Sequence, residues 1–180
     1  HVRSRRQRQM CIRDRTESLI EKVCLDIHNK TEIEFDSKLI NFKAPYERIS
    51  MIDAIKKFTD YDISNMNESE LRLICKEMSI EIDDSMGEGK IIDTIFGNKC
   101  EKNFINPTFI TDYPKSMSPL TKEHRSNPKL TERFELIVNG MEIANAYSEL
   151  NDPIDQLNRF ENQLESVSYT HLTLPTTPYV

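Results

Sequence analysis

The stretch Thr131-Glu-Arg-Phe-Glu-Leu-Ile-Val-Asn-Gly-Met-Glu-Ile-Ala-Asn-Ala-Tyr-Ser-Glu-Leu-Asn-Asp152 constrains the fold of this chain more than any other. Residues 134–138 are apolar strand formers interrupted by Glu135, and residues 141–147 read as the return strand. Asn139-Gly140 between them is a strong hairpin signal, because both residues tolerate positive φ. Glu135, Glu142, Asn145 and Glu149 sit within these otherwise core-like strands. A carboxylate buried without a partner costs several kcal/mol. A buried hairpin with this many acids therefore requires cations, either a metal ion or a bound amine. The other reading of the same spacing is a surface hairpin whose acids face water.

Strand parity sharpens the expectation. A two-residue Asn-Gly turn sets Val138 opposite Met141 and Ile137 opposite Glu142. Side chains alternate with period two, so Glu135 shares a face with Ile137. Glu135 and Glu142 then lie diagonally on one face, within reach of a shared divalent cation held through oxygen. Asn145, Tyr147 and Glu149 have the opposite parity to Glu142. If all five serve one site, the return strand needs an extra residue near Ile143-Ala144, which a β-bulge supplies.

Four segments in order, Pro107-Thr-Phe-Ile-Thr-Asp-Tyr-Pro114, Ser118-Pro-Leu, Arg133-Phe-Glu135 and Asn139-Gly-Met-Glu-Ile-Ala-Asn-Ala-Tyr-Ser-Glu-Leu-Asn-Asp152, resemble class II lysyl-tRNA synthetases. The resemblance implies that Glu135 and Glu142 hold Mg2+ on the phosphates of ATP. It implies that Asn145, Tyr147 and Glu149 line the amino-acid pocket, with Glu149 meeting the lysine ammonium and Asn145 helping to hold the amino acid. A carboxylate suits a site that selects a compact ammonium. Relatives that activate aspartate or asparagine share the hairpin but are not expected to carry the acid of Glu149. The implied fold is α+β: part of the class II antiparallel sheet with flanking helices and a small helical insertion.

The two ends are related in an unusual way. Val167-Ser-Tyr-Thr-His-Leu-Thr-Leu-Pro-Thr176 can be encoded as GTC TCT TAT ACA CAT CTG ACG CTG CCG ACG. The opposite strand then translates as Arg-Arg-Gln-Arg-Gln-Met-Cys-Ile-Arg-Asp, which is Arg5 to Asp14. No property of a folded protein demands that relation. Both ends resemble library-preparation adaptor sequence translated on its two strands. Residues 1–15 and 167–180 are therefore expected to be non-native, leaving 16–166 as a partial synthetase catalytic domain. The competing reading of Arg3, Arg5, Arg6, Arg8, Arg13 and Arg15 is a basic nucleic-acid arm.

Removing the ends changes the charge. The whole chain holds 24 Lys and Arg against 30 Asp and Glu, net −6. Setting aside the six arginines and the one aspartate of residues 1–15 leaves 18 basic and 29 acidic residues, net −11. Such a segment is not itself a polyanion-binding patch, so tRNA contact is expected from parts of the parent protein not present here. No apolar run approaches the ~20 residues that span a membrane. Cys24, Cys75 and Cys100 are widely spaced with no Cys-x-x-Cys, which suits reduced thiols in a cytoplasmic protein. His28 and His124 lack metal-ligand spacing.

The remaining elements are ordinary. Residues 16–29 read as a helix with an imperfect stripe of Leu19, Ile20, Val23, Leu25 and Ile27. Residues 31–36 and 38–43 read as a hairpin stopped by Pro45. Ser50 caps a helix faced by Met51, Ile52, Ile55 and Phe58, with Asp53 in the capping-box position. Asn67 caps residues 68–78, which turn Leu71, Ile74, Cys75 and Met78 inward. Gly87-Glu-Gly-Lys90 lacks phosphate-loop spacing and instead opens a third helix over residues 90–102, faced by Ile91, Ile92, Ile95 and Phe96. Residues 50–102 resemble the helical insertion of lysyl-tRNA synthetases. Residues 107–113 read as a strand. Residues 115–129 form a polar loop in which Lys122 and Arg125 either touch tRNA or are simply solvated. Asp152-Pro153 starts a last helix with an apolar side of Leu157, Phe160 and Leu164.

The implied reaction is ATP-dependent activation of lysine followed by transfer to tRNA(Lys). Catalysis would rest on positioning and on Mg2+ neutralising phosphate charge. The arginine-bearing and glycine-rich segments of the family, its anticodon-binding barrel and its dimer-forming segment are not found in the sequence. A homodimer is expected for the parent, and inactivity and aggregation for this piece alone. Two alternatives remain: a synthetase-like enzyme that lysylates a translation elongation factor, and a non-enzymatic helical interaction module.

Overall fold

The computed structural model describes residues 5–166, with side chains described over 10–161. The expected adaptor-like residues 1–4 and 167–180 lie outside the described residues. Helix α1 (Arg5–His28) runs without a break across the expected native boundary near Arg15. A hairpin follows, β1 (Glu32–Phe35) and β2 (Lys38–Asn41), with Ile33 opposite Ile40. Asp36 and Ser37 both take positive φ at its turn (50° and 58°), which matches the right-handed twist of the strands.

A strand that sequence reasoning did not anticipate, β3 (Glu47–Ser50), begins two residues after Pro45. It pairs in parallel with β4 (Thr108–Thr111), with Arg48 opposite Phe109. Strands β5 (Arg133–Val138) and β6 (Met141–Tyr147) continue the sheet antiparallel, in the order β3-β4-β5-β6. The chain is thus α+β as expected, but its four-stranded sheet is mixed rather than wholly antiparallel. The cause is the crossover between β3 and β4: a helical excursion returns the chain in its original direction, which a tight turn cannot do.

That excursion contains three helices, α2 (Met51–Thr59), α3 (Glu68–Glu77) and α4 (Glu88–Lys99). Ser50 caps α2, its Oγ accepting from the Asp53 amide at 3.0 Å. Asn67 and Glu70 form a reciprocal capping box on α3, at 3.1 and 2.7 Å. Helix α4 starts two residues before the expected Lys90 and gives way after Lys99 to a short 3-10 turn, Glu101–Asn103. Met51, Ile55, Leu71, Ile91 and Ile95 from these helices pack with Ile110 and Ile137 of the sheet in one buried cluster. Burial of each such side chain contributes about 1.5–3 kcal/mol.

The other face of the sheet carries a second cluster: Ile40, Tyr46, Phe109, Phe134, Leu136 and Val138. Phe109 and Phe134 meet edge to face at 5.4 Å. Odd and even residues of β5 therefore feed different cores, as period two requires.

Two expected apolar stripes are corrected. Of the stripe expected in α1 only Ile20 packs against a core, while Leu19, Val23, Leu25 and Ile27 are exposed. In α5 (Pro153–Ser166) Leu157 and Phe160 are exposed, and Arg159 is buried instead. Leu164 lies outside the described side chains. An amphipathic pattern shows which side of a helix wants cover, but not whether cover is present in the chain at hand. No helix among the described residues is long and apolar enough to cross a membrane.

Candidate functional site

The β5–β6 hairpin closes through Asn139 (φ 50°) and Gly140 (φ 69°). Val138 pairs with Met141 and Ile137 with Glu142, but Leu136 pairs with Ala144, so Ile143 is an extra residue in β6. The bulge falls where parity requires one. It sets Glu142 opposite Ile137, Asn145 opposite Glu135, and Tyr147 opposite Arg133. All share the sheet face whose Ile137 packs beneath the helical excursion.

A cavity of about 1180 Å3 opens between this face and α4. Arg133, Glu135 and Glu142 line it from the sheet, Lys115 from a 3-10 turn after β4, Arg159 from α5, and Glu101 from the 3-10 turn after α4. Glu135 is 9% exposed. Its Oε2 accepts from the Tyr113 hydroxyl at 2.7 Å. Its Oε1 accepts from the Arg133 guanidinium and from Asn145 Nδ2, the latter at 3.3 Å. Burial pushes the Glu135 carboxyl above the ordinary range; Tyr113 and Arg133 pull it back, and Glu142 adds to the rise. Burial also raises Glu101, helped by Asp93 and Glu142. Tyr113 is held far above the usual phenol range, first by burial and then by the charge of Glu135.

The geometry does not unite all five expected residues. Glu135 and Glu142 line one cavity, and Asn145 touches Glu135. Tyr147 lies on the same face, opposite Arg133 and 42% exposed. Glu149 lies two residues beyond β6, exposed, and its backbone bridges to Thr121. The expectation that these acids are buried together is corrected: Glu135 is buried, whereas Glu142, Asn145 and Glu149 are exposed. The physical reason is position, since β6 is the edge of the sheet. Burial also falls where no acid was flagged: Glu132 is 5% exposed and meets Arg125 Nε at 2.9 Å. Arg125 thereby serves a buried carboxylate, and Lys122 bonds Asn151 at 2.8 Å.

Three contributors were not given roles from the sequence. Arg133 shares parity with Glu135, so its place on this face was deducible. Tyr113 reaches Glu135 across 22 residues of chain, and nothing local announces it. Arg159 is held by Asp155 at 2.6 and 2.9 Å and donates to the Thr121 carbonyl at 2.7 Å. That contact depends on where α5 lands.

Among the described residues, no three His, Cys, Asp or Glu side chains gather into a metal cage. Two carboxylates on one face are hard oxygen donors, and Glu142 raises the carboxyl of Glu135. This donor set fits Mg2+, which takes one or two carboxylates and fills its other positions with water and phosphate oxygens. Cys24, Cys75 and Cys100 are buried and not in disulfides. Burial raises all three thiols, Cys100 to about 12.

A family model described as tRNA synthetases class II (D, K and N) matches residues 5–173. The lysine--tRNA ligase of Porphyromonas gingivalis is 63% identical over 150 residues, 83% of this chain and 26% of that protein. The lysine--tRNA ligase of Christiangramia forsetii is 61% identical over the same length, again 26% of its own length. That of Azobacteroides pseudotrichonymphae is 59% identical, with 30% of its length covered. The chain thus spans about a quarter to three-tenths of the length of these curated relatives.

Proposed function

Because the chain belongs to the class II tRNA synthetases of the aspartate, lysine and asparagine group, we propose that it is part of the catalytic domain of a lysine–tRNA ligase. That enzyme activates lysine with ATP and passes the lysyl group to tRNA(Lys). One observation carries the reading: the bulge at Ile143 brings Glu135, Glu142 and Asn145 to one face, with both carboxylates lining a single cavity.

Glu135 and Glu142 are the residues that would hold Mg2+, which when bound supplies positive charge against the ATP phosphates. The hairpin does the positioning. Backbone pairing on one edge of β5 and on β6 holds the two carboxylates at a fixed spacing, so little reorganisation is needed when ligand arrives. Asn145 braces Glu135 and is also the amide proposed to orient the amino acid. Tyr147 forms a wall of the lysine pocket. Glu149 pairs with the lysine ammonium; a carboxylate there favours lysine over substrates that lack a terminal cation. Contact with tRNA(Lys) and homodimer formation are assigned to other parts of the ligase. A cytoplasmic location fits the three buried thiols.

Residues 1–15 and 167–180 are proposed to be adaptor-derived. Their antisense relation supports this. Reading the genomic locus across both junctions tests it: ligase codons continuing into Arg5–Asp14 would end the proposal.

The functional test uses the full-length ligase carrying this segment and lysine-dependent ATP–pyrophosphate exchange. Glu149→Gln is expected to raise KM for lysine about 10- to 100-fold, the worth of a hydrogen bond to a charged group, with KM for ATP little changed. Equal KM values for lysine in the variant and the parent would overturn the pocket assignment.

A further inference from the structure

We infer that Tyr113 is a positioning residue that fixes the carboxylate of Glu135 for a divalent cation, while the Arg133 guanidinium acts as an exchangeable counter-ion on the same carboxylate. The inference rests on the proposed metal role of Glu135. Tyr113 is 2% exposed and follows β4, the neighbour of β5. Its hydroxyl donates to Oε2 at 2.7 Å. Arg133 occupies Oε1, donates to Ser118 Oγ at 3.0 Å and stacks on the Tyr113 ring at 4.6 Å. Its Nε is buried with no hydrogen-bond partner.

The two oxygens of Glu135 thus have chemically different neighbours. A neutral phenol on Oε2 is compatible with a divalent cation bound to the same carboxylate. A guanidinium on Oε1 disfavours one there, because two cations on one oxygen repel at contact distance. A cation arriving from the cavity therefore competes for Oε1 and leaves the bond to Oε2 in place. The phenol stops the carboxylate from rotating, as partners behind metal ligands commonly do, and losing such partners typically weakens metal affinity 10- to 100-fold. Arg133 keeps the buried carboxylate neutralised until the exchange, and its place on Ser118 and over the ring limits how far it withdraws.

The test is Mn2+ binding to the full-length ligase in the presence of ATP, read from the electron paramagnetic resonance signal of free Mn2+. Tyr113→Phe, which keeps the ring under Arg133, is expected to weaken Mn2+ affinity about tenfold while KM for lysine stays unchanged. p-Aminophenylalanine at position 113 restores a donor and is expected to restore affinity. Glu135→Gln is the reference. If it leaves Mn2+ affinity unaltered, the metal role of Glu135 itself falls. If it weakens affinity while Tyr113→Phe does not, only the role of Tyr113 falls. Should the Phe variant fail to fold, 3-fluorotyrosine at position 113 carries the test. Its fluorine resonance shifts on adding Mg2+ with ATP as Arg133 moves off Oε1 and changes its position over the ring, and an unmoved resonance overturns the inference.

Discussion

Replacing Gly140 by Ala tests the hairpin that holds the site. Gly140 has φ 69°, and a Cβ built there stands 3.1 Å from Lys102 Cα. Two costs follow. The left-handed conformation costs an L-residue with a side chain about 1–2 kcal/mol. The contact is with backbone, which cannot rotate away, so the turn or the 3-10 segment must move by a few tenths of an ångström, for about 1 kcal/mol more. Gly140 and Asn139 also donate to the carbonyls of Phe104 and Ile105 at 3.0 and 3.1 Å, so movement strains bonds that tie the hairpin to the helical excursion. A total of about 2 kcal/mol lowers the folding constant roughly 30-fold. With a denaturant slope of about 2 kcal/mol per M, the urea midpoint falls by roughly 1 M. The assay is circular dichroism of the dilute chain in urea. Gly97→Ala is the control: its Cβ meets only Glu101 Oε2, at 3.9 Å. In the last turn of α4 that change is expected to be neutral or to stabilise by less than about 1 kcal/mol. A Gly140→Ala midpoint at or above the parent's, beside a normal control, would refute the account of the turn.

Arg159→Met is expected to cost about 1–3 kcal/mol, because the Thr121 carbonyl loses a charged donor. Arg159 also lowers the Asp155 carboxyl, first by hydrogen bonding. A depressed carboxyl stabilises the fold above its unfolded value of 3.8 and loses that effect as pH falls through the folded value. The gap between parent and variant urea midpoints should therefore narrow as pH falls below about 4, leaving the part due to the Thr121 carbonyl, and an unchanged gap at low pH would count against the pair. The exposed side chains Leu19, Ile27, Phe35, Leu39, Ile154 and Leu157 predict concentration-dependent self-association of the chain. Light scattering should show species larger than a monomer at tens of micromolar, and a clean monomer there would contradict it. The chain alone is expected to give no lysine-dependent ATP–pyrophosphate exchange above background, because Asn145, Tyr147 and Glu149 stand exposed rather than enclosing a substrate.

The helical excursion was legible almost residue by residue. Ser50 and Asn67 carry their caps in local sequence, and Ile91, Ile92, Ile95 and Phe96 are all buried as their spacing implies. β3 was not legible, because Glu47-Arg48-Ile49-Ser50 has one apolar residue and owes its strand state to pairing with β4. Burial of α5 through Arg159 was equally hidden, since a cationic residue goes inside only where a particular carbonyl and carboxylate await it.

At the site the division is sharper. Asn139-Gly140 and period-two alternation were enough to demand an irregularity near Ile143 if Glu142 and Asn145 were to share a face. Both are local rules, carried by φ preferences and by the pleat. Which acids would be buried was not a local matter. Glu135 is covered by Tyr113 while Glu142, on the same face, and Glu149 stay exposed, because burial depends on what other segments cover. Tyr113, Arg133 and Glu135 meet through packing between strands distant in sequence, and contacts of that kind exist only once the sheet has formed.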